Sequence, residues 1–152
     1  MEKIKKTRFG LGVFVCVFNK DFSKLLMLRR NEEKRKKNPN GEWGNVGGRI
    51  ELGESSDIAC MREVSEETGI ILKREDIIQV MIIEAPDWDI YGDSHVLHVV
   101  YAASIPENTK VSLNKESDNF KWFPLNELPE KMLDKKEDII DISKKAKKLF
   151  EE

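Results

Sequence analysis

The order of local patterns along the chain predicts an α/β fold, a mixed β-sheet with helices packed on it. Three observations carry this expectation. Short runs rich in valine, isoleucine, leucine and phenylalanine recur in both halves of the chain. Two stretches have helical spacing instead. The two kinds follow one another as strands, helix, strands, helix, which calls for a sheet covered by helices rather than a bundle or a sandwich of strands.

Each element follows from its residues. Residues 10–18 and 24–29 are rich in Val, Leu and Phe, and 19–23 between them is turn-like, so the pair reads as a hairpin. Residues 30–41 are polar, charged and punctuated by Pro39-Asn40-Gly41, which predicts a loop. Residues 43–52 are strand-like, interrupted by Gly44, Gly47 and Gly48. Residues 55–68 have helical spacing and end at Gly69. Residues 77–84 and 95–104 read as two more strands joined by a turn-rich stretch, and 105–119 reads as a polar loop. Residues 120–123 form a short strand ended by Pro124. The last element, 137–150, is an amphipathic helix with Ile139, Ile142, Ala146 and Leu149 on one face. No repeat or shift in composition divides the chain, so one domain over 1–152 is expected.

Composition excludes several functions. Charged residues make up 36% of the 152, but 26 basic and 28 acidic side chains nearly cancel to −2. Nucleic acid is therefore not an expected partner. No apolar run approaches the ~20 residues that span a bilayer, so no membrane partner is expected. The apolar stretch 9–18 lacks a small-residue cleavage site and runs into Asn19-Lys20-Asp21, a turn rather than a leader junction. Cys16 and Cys60 sit in strand and helix patterns with no CxxC spacing or neighbouring His, which suits buried free thiols and a cytoplasmic protein.

The helix at 55–68 carries the chemistry. With Glu63 at zero and a step of about 100° per residue, Glu66 falls at about −60°, Glu67 at about +40° and Ala59 at about −40°. Ile58, Met61, Val64, Ser65 and Thr68 fall on the opposite side, which is expected to be core. Like charges at these spacings repel by a few tenths of a kcal/mol per pair when exposed. A hard divalent cation held by oxygen would relieve that repulsion, and the absence of His and Cys on this face argues against zinc. Read alone, the cluster is better explained as an acidic face in water.

The surroundings decide between the two. Gly48, five residues, Glu54, seven residues, then Arg62-Glu63-Val64-Ser65-Glu66-Glu67-Thr68-Gly69-Ile70 agrees at every position with GX5EX7REUXEEXGU, where U is a bulky aliphatic. The chain resembles the Nudix hydrolase family. The resemblance implies an α/β/α sandwich with a central mixed β-sheet. It also implies hydrolysis of a nucleoside diphosphate linked to a group X, with Mg²⁺, or Mn²⁺ in its place, activating the attacking water.

Residue by residue, the resemblance assigns Glu63, Glu66 and Glu67 as metal ligands, joined by the carbonyl of Gly47. Glu63 and Glu66 count among the catalytic residues, and family members divide on whether Glu63 binds metal or takes the proton. Arg62, also placed in the catalytic set, matches the arginine that holds the carboxylates, and Glu54 matches its supporting acid. Gly48 lets the backbone approach closely. Glu116, some six residues before Trp122-Phe123, matches a further acid that binds metal or acts as base, with Asp118 as its substitute. Arg30 matches a phosphate contact. Asn45 and Trp88 are expected at the substrate, Asn45 because MutT-type relatives carry an asparagine nearby, in the order Trp-Asn-Gly where this chain has Trp43-Gly44-Asn45. The proline that commonly precedes the box glycines is replaced by Val46.

Weaker signals are read as structure. Lys34, Arg35, Lys36 and Lys37 suit a solvated loop, Trp122 and Phe123 the core, and His95 and His98 opposite sides of a strand. The expected substrate is a nucleoside triphosphate, oxidised bases included, split to monophosphate and pyrophosphate. ADP-ribose or a nucleotide sugar is the alternative, and a non-catalytic nucleotide-sensing module the alternative of another class. The oligomeric state is left open between a monomer and a homodimer, the form that many relatives take.

Overall fold

Apolar side chains follow one another without a break from Val13 to Phe18 because helices cover both faces of the first strand. The structure, a computed structural model, describes residues 8–86 and 94–152. Strand β1 (Arg8–Phe18) sends Val13, Val15 and Val17 into one core cluster with Cys60 and Val64. Its Cys16 and Phe18 enter a second cluster with Ile139, Ile142 and Ala146. The sheet is thus the middle layer of an α/β/α sandwich, as expected.

The remaining elements are β2 (Lys24–Arg30), α1 (Glu32–Lys37), β3 (Trp43–Gly44), β4 (Val46–Arg49) and α2 (Ser56–Thr68). After them come β5 (Ile77–Ala85), β6 (Ser94–Ser104), β7 (Ser117–Pro124) and α3 (Lys136–Phe150). β1 runs parallel to β6 along its whole length, and β5 closes that side antiparallel to β6. On its other edge β1 meets β2 only at Val17 and Phe18. The two strands then part, and the segment 43–49 fills the gap. β3 pairs with Leu28 and Arg29 of β2, and β4 pairs with Gly12 to Val15 of β1. β2 also pairs with β7. Among the described residues no helix is long and apolar enough to cross a membrane.

Three elements depart from expectation, each for a physical reason. The stretch 30–41 contains α1, although it has no apolar stripe. Asn31 caps it by accepting the Lys34 N–H, and Glu32–Lys36 and Glu33–Lys37 pair one turn apart. β7 begins at Ser117, earlier than its apolar residues, because β2 offers an edge that pairs with Asn119 and Ser117. The buried stripe of α2 is rotated from the expected one. Ile58 is exposed, while Ala59, Cys60, Val64, Glu67 and Thr68 are buried. Ala59 and Cys60 are small enough to let the helix lie close on the sheet, and that approach carries Glu67 inward. Gly69 ends the helix in a left-handed conformation, φ 72°, its N–H donating to the Ser65 carbonyl.

Candidate active site

The C-terminal half of α2 lies against β4, and the contact is possible because β4 is built on glycine. The Gly47 N–H donates to Glu67 Oε2 over 3.2 Å. A Cβ on Gly48 would land on the Glu63 carboxylate, and one on Gly47 would press on the Val13 carbonyl at 2.9 Å. Glu67 is buried and Glu63 half-buried one turn before it against this floor, while Glu66 points outward with its side chain 55% exposed.

Arg62 holds the cluster. Its Nε donates to Glu54 Oε2 over 2.7 Å and its Nη2 to Glu54 Oε1 over 2.9 Å, a bidentate pair. Nη1 donates to Glu63 Oε1 over 2.9 Å and to Glu66 Oε2 over 3.2 Å. Nη2 also reaches the Arg49 carbonyl. One guanidinium therefore serves three carboxylates and the end of β4.

The charge balance is uneven. The Arg62 hydrogen bonds, helped by the Glu51 backbone, lower the Glu54 carboxyl to about 2. Burial, then the neighbouring Glu63 charge and its hydrogen bond, push Glu67 up to about 9. Burial also raises Glu63 despite its contact with Arg62. Arg62 is shared among Glu54, Glu63 and Glu66 and does not bond Glu67, so the Glu63–Glu67 pair is short of positive charge.

That shortage, with an oxygen-only donor set and a glycine floor too tight for a methyl group, fits a hard divalent cation. Among the described residues no three acidic, His or Cys side chains already form a closed ligand cage. Arg62 draws Glu63 and Glu66 to itself, and Glu67 engages Gly47, so ligation would require these side chains to turn.

The carboxylates open onto a cleft of about 790 Å³, whose walls also include Arg30, Asn45 and Glu116. The structure thus brings Gly47, Gly48, Glu63, Glu66, Glu67 and Glu116 together, with Arg62 and Glu54 behind them. Glu116 is near enough for its charge to help raise Glu67. Asp118 is no substitute for it. Arg29 Nε and Arg35 Nη1 each bind Asp118 over 2.7 Å and hold its carboxyl below the usual range.

Arg30 is half-buried in the cleft wall and donates to the Gly41 carbonyl over 3.2 Å. No carboxylate pairs with it among the described residues, and burial lowers its pKa. Lys34 lines the cleft too, whereas Arg35 turns to Asp118. Trp43 packs edge-on to Phe123 with centroids 4.9 Å apart, and Trp122 packs against the core, so neither is a stacking platform. Trp88 lies outside the described residues. His95 pairs with Glu84 at the surface, but His98 lines the cleft beside Gly12. A smaller depression of about 270 Å³ beside Phe22 and Phe150 holds none of these groups.

One candidate residue went unseen in the sequence. Asp134 lines the cleft just before α3 and accepts the Asn45 Nδ2–H over 3.0 Å. In Asp134-Lys135-Lys136-Glu137-Asp138 it looks like an ordinary acidic helix start, and only the fold brings it to Asn45.

Comparison with known proteins identifies the family and the fold. The model of the NUDIX domain matches residues 8–142. The chain is 32% identical to an ADP-ribose pyrophosphatase of Methanocaldococcus jannaschii over 142 residues, covering 91% of this chain and 78% of that protein. It is 29% identical to the dihydroneopterin triphosphate diphosphatase of Escherichia coli, covering 71% of this chain and 66% of the enzyme. A crystal structure of a MutT/nudix family protein from Enterococcus faecalis shares the fold, with a TM-score of 0.67 and 24% identity over 94% of this chain and 63% of that one. The chain belongs to the NUDIX family, hydrolases that act on phosphoric anhydride bonds.

Proposed function

We propose that this single domain hydrolyses a nucleoside triphosphate, oxidised forms included, to monophosphate and pyrophosphate with Mg²⁺. The observation that carries the reading is the convergence in one cleft of the half-buried Glu63 and buried Glu67, short of positive charge, with Arg30, which has no carboxylate partner among the described residues. The first suits a cation and the second a phosphate.

Glu63, Glu66, Glu67, Glu116 and the Gly47 carbonyl would hold the metal, with Mn²⁺ able to replace Mg²⁺. When bound, the cation supplies charge neutralisation for the polyphosphate and makes water easier to ionise. The chain's own residues do the rest. Arg62, fixed by Glu54, positions Glu63 and Glu66 and touches no reacting atom. Arg30 and Lys34 draw the anionic chain into the cleft. Water adds to one phosphorus of the anhydride as the bridging P–O bond breaks. Its proton leaves to a cleft carboxylate: Glu116 would accept it where Glu63 holds the metal, and Glu63 would accept it where Glu116 does.

The M. jannaschii relative favours a second reading, cleavage of ADP-ribose or another nucleotide sugar by the same machinery. A non-catalytic sensing module would not need Arg62, Glu63, Glu66 and Glu67 all in place. The buried thiols of Cys16 and Cys60 support a cytoplasmic setting. The test is a panel of canonical and oxidised nucleoside triphosphates, ADP-ribose and dinucleoside polyphosphates, each with Mg²⁺ and with EDTA. Metal-dependent pyrophosphate release from a triphosphate is expected. Turnover of ADP-ribose alone would favour the second reading, and no turnover of any member would reject both.

A further inference from the structure

Asn31 ties two walls of the cleft together without lining the cleft itself. Its Oδ1 accepts the Lys34 N–H over 2.9 Å, the bond that caps α1. Its Nδ2 donates to the Lys115 carbonyl over 3.0 Å, and its own N–H donates to the Glu116 carbonyl over 3.0 Å. Arg30 and Lys34 on one side and Glu116 on the other all line the cleft. Capping alone needs only an acceptor, and Ser, Thr or Asp would supply it. Asparagine adds two N–H donors on the same short side chain, and one of them goes to Lys115.

These bonds fall where the sheet stops holding this stretch. β2 pairs with β7 from Pro124 back to Asn119, shifts register between Arg29 and Arg30, and ends at Ser117. Residues 114–116 lie beyond that ladder. The Glu116 N–H donates to Asn114 Oδ1 over 3.0 Å and its carbonyl accepts from Asn31, so both polar groups of its backbone are fixed. Its carboxylate has no hydrogen-bond partner among the described residues and is left to the cleft. A carboxylate is placed only as well as the backbone that carries it, and a displacement of about 1 Å can cost ~100-fold in rate.

We infer that Asn31 is a positioning residue of this site: its side chain holds Glu116 toward the carboxylates of α2 and, through the cap, keeps Lys34 at the cleft. It touches no reacting atom and acts through those two residues. The two tasks lie on different atoms, Nδ2 for the loop and Oδ1 for α1, so they can be separated. The inference rests on the proposed hydrolase reading for what Glu116 does, and not for where it is held.

Asn31→Ser keeps a capping oxygen but is too short to reach the Lys115 carbonyl, whereas Asn31→Ala loses both side-chain bonds. The substrate is whichever of GTP and ADP-ribose the wild type cleaves faster with Mg²⁺. Asn31→Ser should lower kcat about tenfold or more and leave KM within about twofold. Asn31→Ala should lower kcat as much and raise KM as well, because Lys34 is released. In a Glu116→Gln chain, Asn31→Ser should change kcat by less than about twofold, the non-additivity of two residues acting as one unit. A readout independent of turnover is amide exchange in the metal-free protein. Protection of the amides of residues 31 and 116 should fall about tenfold in Asn31→Ser, while the Lys34 amide stays protected. If Asn31→Ser does not fold, Asn31→Asp takes its place, since it caps equally well and sets acceptor against acceptor at Lys115. Wild-type kcat in the variant, an equal loss in the Glu116→Gln background, or unchanged exchange at Glu116 would overturn the inference. No turnover of either substrate by the wild type would reject the hydrolase reading, and exchange at Glu116 would then decide alone.

Discussion

The two long helices cover opposite faces of one sheet, yet they bury different things. α3 buries Ile139, Ile142 and Ala146 and turns its lysines to water. α2 buries Ala59, Cys60 and Val64, and with them the carboxylate of Glu67. α3 is what the hydrophobic effect alone makes of an amphipathic stretch. α2 accepts a cost, since a buried carboxylate is desolvated and here sits beside another. A helix shaped only by stability would place an apolar residue at 67. The difference marks α2 as the helix shaped by chemistry.

The largest effect should come from removing that cost. Glu67→Gln keeps the shape and can still accept the Gly47 N–H, so the melting temperature should hold or rise. Metal-dependent turnover should fall a hundredfold or more, measured as pyrophosphate release. Unchanged turnover would mean that α2 is no different in kind from α3. The converse variant belongs on α3. Ile142→Ala should cost about 2–5 kcal/mol in urea unfolding, and turnover per folded molecule should fall far less than in Glu67→Gln.

Gly48→Ala tests the floor under α2. A methyl group there would displace the Glu63 carboxylate, so turnover should drop about tenfold or more while α3 and its core are untouched. Retained activity would show that Glu63 has another place to go.

Two effects of pH are smaller and opposite in sign. Glu67 titrates in the metal-free protein near 9, above its ordinary 4.5. Its raised pKa makes its contribution to stability complete below about 4.5 and lost as pH rises through about 9. A divalent cation that binds the ionised form should offset the loss, so the rise in melting temperature on adding Mg²⁺ should grow across that window. Glu54 behaves the other way. Its carboxyl is held at about 2, so the Arg62 pair stabilises the fold above about 4.5 and is lost as pH falls toward 2. A Glu54→Gln chain should therefore lose the part of the acid unfolding that falls between those values.

Much of this was legible in the sequence where local chemistry sets local structure. Gly69 is the left-handed cap it was expected to be, the residues of the box converge, and Ile139, Ile142 and Ala146 form one buried stripe. What escaped depended on partners distant along the chain. The polar start of β7 is a strand only because β2 pairs with it. The burial of Ala59 in place of Ile58 depends on how closely α2 approaches the sheet, which helical periodicity does not report. Asp134 and Asn45 are 89 positions apart, and no local pattern links them.

The segment 43–49 is gripped by β2 at one end and by β1 at the other. Asn45 and Gly47 lie on it two residues apart. On the proposed reading, it works as a ruler. The span from Asn45, bound to Asp134, to Gly47, bound to Glu67, is set by covalent chain length rather than by the closing of one body on another. Inserting a single residue there would turn one of the two ends to the other face of the sheet and break either the Asn45–Asp134 or the Gly47–Glu67 contact.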